Sequence, residues 1–282
     1  MRNAVNPIEF STFLWVASIP VQTLSGTGRY DAVSVSSWGF IVRPDHPNTQ
    51  SPRVDEIRAR VNRLPAWRHR IPLGHGIVTP GREDSNVELA RIDLPEDLTG
   101  LQILDIGCSD GFFCFECEKR GAARVVGIED FTSTPRNDGL SGFNIASGIL
   151  GSSAKLITDS VYRLSPEEVG TFDMVLFLNT LYHLKHPLLA LERIGSVLEP
   201  NGVMLLKTYF HQDLRLKRWG LDLTKRPMMR FFPHDELNRD SSNWWAPNRR
   251  CLEDMLRATG FSELVRLGTW GDRIYYRCAR AA

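Results

Sequence analysis

From Leu101 onward the chain alternates short, continuous apolar runs with longer stretches of helical periodicity. The runs are Ile103–Ile106, Val125–Ile128, Leu156–Ile157, Phe172–Leu178 and Val203–Leu206. Continuous runs of this length suit strands buried on both faces of a parallel sheet, and the stretches between them supply crossover helices. Leu188–Leu198 is predicted as one helix, stopped by Pro200-Asn201-Gly202, and Asn248–Ala258 as another, stopped by Gly260. Two further strand-like runs lie near Leu264 and at Ile274–Tyr276. The pattern predicts an α/β fold with a doubly wound, mostly parallel, seven-stranded Rossmann-like sheet.

Ahead of the sheet, Ser51-Pro52 supplies an N-cap and a first-turn proline, and Val54, Ile57, Val61 and Leu64 recur at helical spacing up to Pro65. Residues 51–100 therefore read as a helical and loop cap, residues 101–282 as the main domain, and about 209–248 as an insert after the fifth strand. Residues 1–50 hold no sustained period and read as an N-terminal arm packed on the domain, without an assigned role. Its most apolar part, Phe10–Val21, is broken by Ser11, Thr12, Ser18 and Pro20, short of the roughly 20 apolar residues of a membrane span. Neither a membrane partner nor a signal peptide is expected.

Composition sharpens this picture in two places. Lys and Arg number 34 against 33 Asp and Glu, a net charge of +1, so no global field draws in a polyanion. The five cysteines are odd in number and unevenly spread, which does not fit a secreted disulfide framework and points to the reducing cytoplasm. Cys114-x-x-Cys117 falls in a predicted helix with no second pair at zinc spacing, so the two read as small buried side chains and no metal is expected.

The sharpest chemical signal is Asp105-Ile106-Gly107-Cys108-Ser109-Asp110-Gly111, where a strand hands over to a helix. Gly107 and Gly111 permit tight turning and close approach of a ligand at the position where open α/β sheets bind cofactors. A dinucleotide site wants Gly-x-Gly-x-x-Gly to receive a pyrophosphate, whereas Asp105 and Asp110 would repel phosphate and suit a cationic ligand. Glu129, at the end of the next strand, is placed to accept two ribose hydroxyls, and Asp159-Ser160 after the third strand to reach an adenine amine. Ser109, Asp130 and Asn179 stand beside these residues and are counted with the same site. For Asp159 a solvated helix cap is the plain alternative.

These residues, with Val125-Val126-Gly127-Ile128-Glu129 and Leu181-Tyr182-His183-Leu184-Lys185-His186-Pro187, resemble the class I S-adenosylmethionine-dependent methyltransferases. Within them the chain resembles the branch that contains the tRNA wobble-uridine carboxymethyltransferases, most closely over Trp67–Gly81 and Met229–Met255. The resemblance implies S-adenosyl-L-methionine as cofactor and makes 101–282 the methyltransferase domain. Members of that branch hold a carboxylated donor with a lysine and a tryptophan ahead of the first strand. Trp67–Gly81 lacks that lysine and the tryptophan-rich run after it, which favours the ordinary donor, although Tyr182 matches the branch tyrosine and Arg273 its late arginine.

Asn179-Thr180-Leu181-Tyr182 is not the Asn/Asp-Pro-Pro-Tyr/Phe motif that cradles an amine, which points away from amine methylation on a flipped base. His183 follows, and a neutral imidazole there can take a hydroxyl proton; a core histidine bonded to backbone is the alternative. Trp67, His75, His211, Trp244, Trp245 and Arg273 are placed on the acceptor side. The expected activity is O-methylation of a small hydroxylated or carboxylated metabolite, with His183 as base and Tyr182 placing the acceptor. An RNA-modifying enzyme is the first rival, favoured by the basic and aromatic insert. A catalytically silent cofactor-binding protein is the second.

Overall fold

The computed structural model describes residues 54–130, 138–211, 220 and 223–280. The arm expected over 1–50 lies outside the described residues, as do Ser51-Pro52 and, in the insert, Arg215, Lys217, Arg218 and Trp219.

Seven strands form the main sheet: β1 (Gln102–Ile106), β2 (Arg124–Ile128), β3 (Lys155–Ile157), β4 (Phe172–Leu178), β5 (Leu198–Tyr209), β8 (Phe261–Trp270) and β9 (Arg273–Arg280). Their spatial order is β3-β2-β1-β4-β5-β9-β8. The first five run parallel, and the β8–β9 hairpin is added antiparallel beside β5. The chain winds outward from β1 in one direction and then from β4 in the other, which opens a crevice at their carboxyl ends. The expected doubly wound, mostly parallel seven-stranded Rossmann-like sheet is the observed one.

Alternation along β1 divides the core. Leu104 and Ile106 join a cluster with Leu191 and Ile194 of α6 (Pro187–Ser196) and Leu252 and Leu256 of α7 (Arg249–Ala258). Ile103 joins the opposite cluster, with Phe112 and Cys114 of α3 (Phe112–Lys119) and Phe143 of α4 (Asp138–Leu150). That face is closed by the segment ahead of the sheet, through Ile57 and Val61 of α1 (Val54–Asn62), then Trp67, Ile71, Leu73 and Ile77. Residues 54–98 thus share one core with the strands.

Two local differences from the sequence reading have simple causes. Pro200-Asn201-Gly202 does not close α6, which ends at Ser196, but interrupts the start of β5. Register with β4 jumps from Phe172–Leu198 to Met174–Val203, and Asn201 takes up the extra length with a left-handed φ of 67°. The second is a short helix, α2 (Ser85–Arg91), N-capped by Asp84, which accepts from the Asn86 amide at 3.2 Å. It delivers Glu88 to Lys207 of β5 at 2.7 Å and to the Tyr275 hydroxyl at 3.0 Å. Both charged side chains are largely buried, so the pair ties the pre-sheet segment to the sheet.

Among the described residues of the insert after β5, β6 (Met229–Phe231) and β7 (Trp245–Pro247) form an antiparallel ribbon. It has a small core of its own in Phe232, Leu237 and Ala246, packed against Tyr209.

Candidate donor and acceptor site

The loop after β1 holds Gly107, Ser109 and Gly111 at φ of 79°, 51° and 88°. A Cβ on Gly107 would stand 2.2 Å from the Thr180 hydroxyl, which itself donates towards Ile106 O and Leu178 O and bridges the ends of β1 and β4. A Cβ on Gly111 would strike the Phe115 and Phe143 rings at under 3 Å. Thr180 and the rings of α3 and α4 thus explain why a side chain would not fit at these two positions.

Glu129, just past β2, accepts the Ser109 amide at 2.9 Å. Burial pushes its carboxyl up, with the Ser109 bond and the charge of Arg68 opposing. Asp130 follows, half-buried. Asp159, past β3, accepts the Ser160 amide at 2.6 Å and pairs with Arg163 at 2.8 Å, which holds it below the usual carboxylate range. Ser160 opens the 3₁₀ turn that follows.

The two loop carboxylates part company. Asp105 is buried beneath the loop, receives the Cys114 thiol at 3.5 Å, and is pushed up to about 7 by burial. Asp110, read from sequence as a second carboxylate facing a cation, instead serves the pre-sheet segment. Its Oδ2 accepts the Arg68 and His69 amides at 2.8 and 3.0 Å, and its Oδ1 meets the His69 ring.

At the end of β4, Asn179 has a left-handed φ of 56° and accepts from Arg273 Nε at 3.2 Å. The Arg273 guanidinium lies over Tyr182 at 5.2 Å and over Tyr209 at 4.7 Å. Tyr182 is buried, and its carbonyl accepts the Trp244 amide at 2.8 Å, so the insert ribbon is pinned over the 3₁₀ turn Leu181–His183. The His183 Nδ1 lies 3.0 Å from Ser242 Oγ and 3.2 Å from Ser242 O. Ser242 Oγ donates to Asp240 at 2.6 Å, so both Ser242 oxygens act as acceptors towards the imidazole. Nδ1 therefore carries the proton and Nε2 keeps its lone pair. Burial holds His183 below the usual histidine range.

Other residues assigned to the acceptor side fall in different places. Trp244 lies under Lys185 Nζ at 4.8 Å and stacks with Phe231, while Trp245 flanks Phe231 at 4.9 Å. His211 is held at the ribbon by its amide bond to Pro247 O at 2.9 Å. Trp67 is a core residue: its indole donates to Val61 O at 3.2 Å and its ring packs near Gly142. His75 sits exposed in a tight turn between Gly74 and Gly76, all three with positive φ. Trp67, expected near substrate, is taken up by the core, and His75, expected there too, stands in the exposed turn.

A family model described as a methyltransferase domain matches residues 80–243, more than half of the chain. The chain belongs to this methyltransferase family. It is a class I S-adenosylmethionine-dependent methyltransferase, with S-adenosyl-L-methionine as its cofactor. Among curated proteins it is similar to the tRNA U34 carboxymethyltransferase of Desulforapulum autotrophicum, at 25% identity over 62% of this chain and 50% of that one. It is also similar to that of Pseudomonas paraeruginosa, at 22% identity over 89% of this chain and 77% of that one. The chain thus spans about half the length of the first relative. Among solved structures, the N-terminal domain of EvdMO1 with SAH bound shares the fold at a TM-score of 0.57 and 18% identity, over 82% of this chain and 98% of that one.

In this methyltransferase the residues that sequence reasoning passed over are Arg68, His69, Glu83, Tyr209, Asp240 and Ser242. Arg68 and His69 lay in plain view beside Trp67, but their partner Asp110 is some forty residues away. Asp240-Ser241-Ser242 carried a turn signal and nothing that tied it to His183. Among the described residues, no group of His, Cys, Asp and Glu side chains could hold a metal ion, and no helix is long and apolar enough to cross a membrane.

Proposed function

We propose that this methyltransferase methylates a hydroxyl oxygen on a small hydroxylated or carboxylated metabolite, using ordinary S-adenosyl-L-methionine. The observation that carries the reading is the chain His183–Ser242–Asp240, which presents a neutral imidazole with its proton fixed on Nδ1. When bound, the cofactor supplies a methyl carbon already activated by its sulfonium. The donor set suits it: the Glu129 carboxylate can accept a pair of vicinal hydroxyls, and Asp105 lies under the loop, where a bound cation would favour its ionised form. Asp159 and Ser160 are assigned to the adenine end, with Ser109, Asp130 and Asn179 lining the strand ends.

Orientation can contribute about 7–11 kcal/mol to such a displacement, against about 3–5.5 kcal/mol from a general base. Positioning is therefore assigned to more residues than proton transfer: Tyr182, Trp244, Trp245, His211 and Arg273 around the acceptor, His183 alone as base. All five cysteines are free thiols, which suits the cytoplasm as its compartment.

A second reading, RNA modification, is favoured by one observation besides the names of the relatives. Phe231 is half exposed beside Trp244, and Lys185 lies over the Trp244 ring, an arrangement on which a base could stack. The near-neutral charge of the chain opposes it. Incubating the protein with labelled methyl donor, a metabolite extract and bulk transfer RNA separates the two. Label is expected in the small-molecule fraction, and Trp244→Ala should cut that turnover by about tenfold or more while donor affinity holds. Label in transfer RNA would overturn the metabolite reading.

The donor assignment has its own test. Glu129→Ala should weaken S-adenosylhomocysteine by about tenfold or more in calorimetry, since it removes a charge-assisted acceptor of two hydroxyls. An unchanged affinity would remove Glu129 from the ribose.

A further inference from the structure

We propose that Arg68 selects the acceptor, by pairing with a carboxylate or other anionic group on the small molecule whose hydroxyl faces His183. This rests on the metabolite reading and narrows it to anionic acceptors.

The backbone of Arg68 is fixed from two sides. Asp110 accepts its amide at 2.8 Å, and the Glu83 amide donates to its carbonyl at 3.0 Å. Asp110 is the next residue after Ser109, whose amide binds Glu129, so Arg68 is anchored directly beside the donor loop. The charge of Arg68 is felt at Glu129 and also at Tyr182, His183 and Asp240. Anchored beside the donor loop, it lies within electrostatic reach of both the donor carboxylate and the proposed base.

Its guanidinium is available in a way that of Arg273 is not. Arg273 bonds Asn179 and Asp272 and stacks between two tyrosines. Arg68 pairs with Glu83 at 2.8 Å, with both side chains about two-fifths exposed (40% and 39%). A pair that open to solvent holds weakly, and a guanidinium has five donors, of which Glu83 occupies few. An incoming carboxylate can join or displace Glu83 and gain a forked, charge-assisted contact whose backbone anchor is already set. Holding an anion there would also fix the acceptor at a second point, as alignment with the methyl carbon requires.

The test uses a panel of hydroxy acids, each paired with its neutral methyl ester or amide, in ligand-observed NMR against the full chain saturated with S-adenosylhomocysteine. Acids should bind about tenfold or more tighter than their neutral twins, and Arg68→Met should abolish the preference. Glu83→Gln should keep or strengthen it, because it removes a competitor for the guanidinium. If Arg68 merely braced the fold, both variants would impair binding alike. In calorimetry S-adenosylhomocysteine affinity should stay within about twofold in both variants. Loss of that affinity in step with the acids would give Arg68 to the donor's own carboxylate and overturn the proposal. So would a panel in which acids show no preference or do not bind, or a preference that survives Arg68→Met. Methylation of neutral twins with no preference for acids would leave the metabolite reading standing without this inference; methylation of transfer RNA would remove the reading itself.

Discussion

Replacing His183 with alanine should lower methyl transfer by about 10²–10⁴-fold, the range a general base contributes, while S-adenosylhomocysteine affinity stays within about twofold. The imidazole is neutral in the folded protein because burial disfavours its charged form. Only the neutral form can take a proton, so kcat/KM should rise with pH through a pKa below the 6.5 of a free imidazole and be level at neutrality. In His183→Ala that acid limb should vanish along with the rate. Ser242→Ala is the more discriminating variant. It removes one of the two acceptors that hold the Nδ1 proton, frees Asp240, and should reduce kcat more than it changes KM for acceptor. Retention of full activity in His183→Ala would reduce the residue to a buried histidine and leave alignment to carry the reaction.

The second large effect concerns folding. Glu88→Ala leaves the Lys207 ammonium buried without its carboxylate, and breaking a buried pair from one side costs about 3–5 kcal/mol. At about 2–4 °C per kcal/mol for a domain of this size, the Tm should fall by roughly 10 °C. Denaturant titration should show the midpoint move with little change in slope. Replacing both partners, with Glu88→Leu and Lys207→Met, should recover much of the loss, since neither leaves a charge behind. A single-variant loss under about 1 kcal/mol would place the pair among surface ion pairs.

The sheet was legible because its strands are buried on both faces and therefore uninterrupted in hydrophobicity. Glu129 could be placed at the end of the second strand because only one helix and one short strand separate it from the glycine loop. The pre-sheet segment was harder to read for the opposite reason. Trp67 looked like a substrate aromatic, yet its indole is satisfied by Val61 O six residues away, and its ring fills the core under the sheet. His69 and Asp110 are far apart in sequence, and neither belongs to a periodic pattern that would betray the other. Ser242 acquires its role because the insert ribbon lays the Asp240–Trp244 loop beside the turn that ends β4. No local propensity encodes such a meeting. The Pro200-Asn201-Gly202 turn was recognised as a break in regular structure, but a break at the head of a strand and one at the tail of a helix share the same chemistry.

The Asp110 bonds to Arg68 and His69 bear on how such proteins can be recombined. A chimaera joined near residue 80, where the family match begins, would take the carboxylate from one parent and its amides and imidazole from the other. Mismatched parents would leave the Asp110 carboxylate buried with its backbone amides but without an imidazole partner, or a lone histidine against Phe112 and Phe113. A crossover ahead of Trp67 inherits the whole latch from a single parent and avoids both faults, so the workable seam for exchanging substrate specificity lies upstream of the boundary that family resemblance draws.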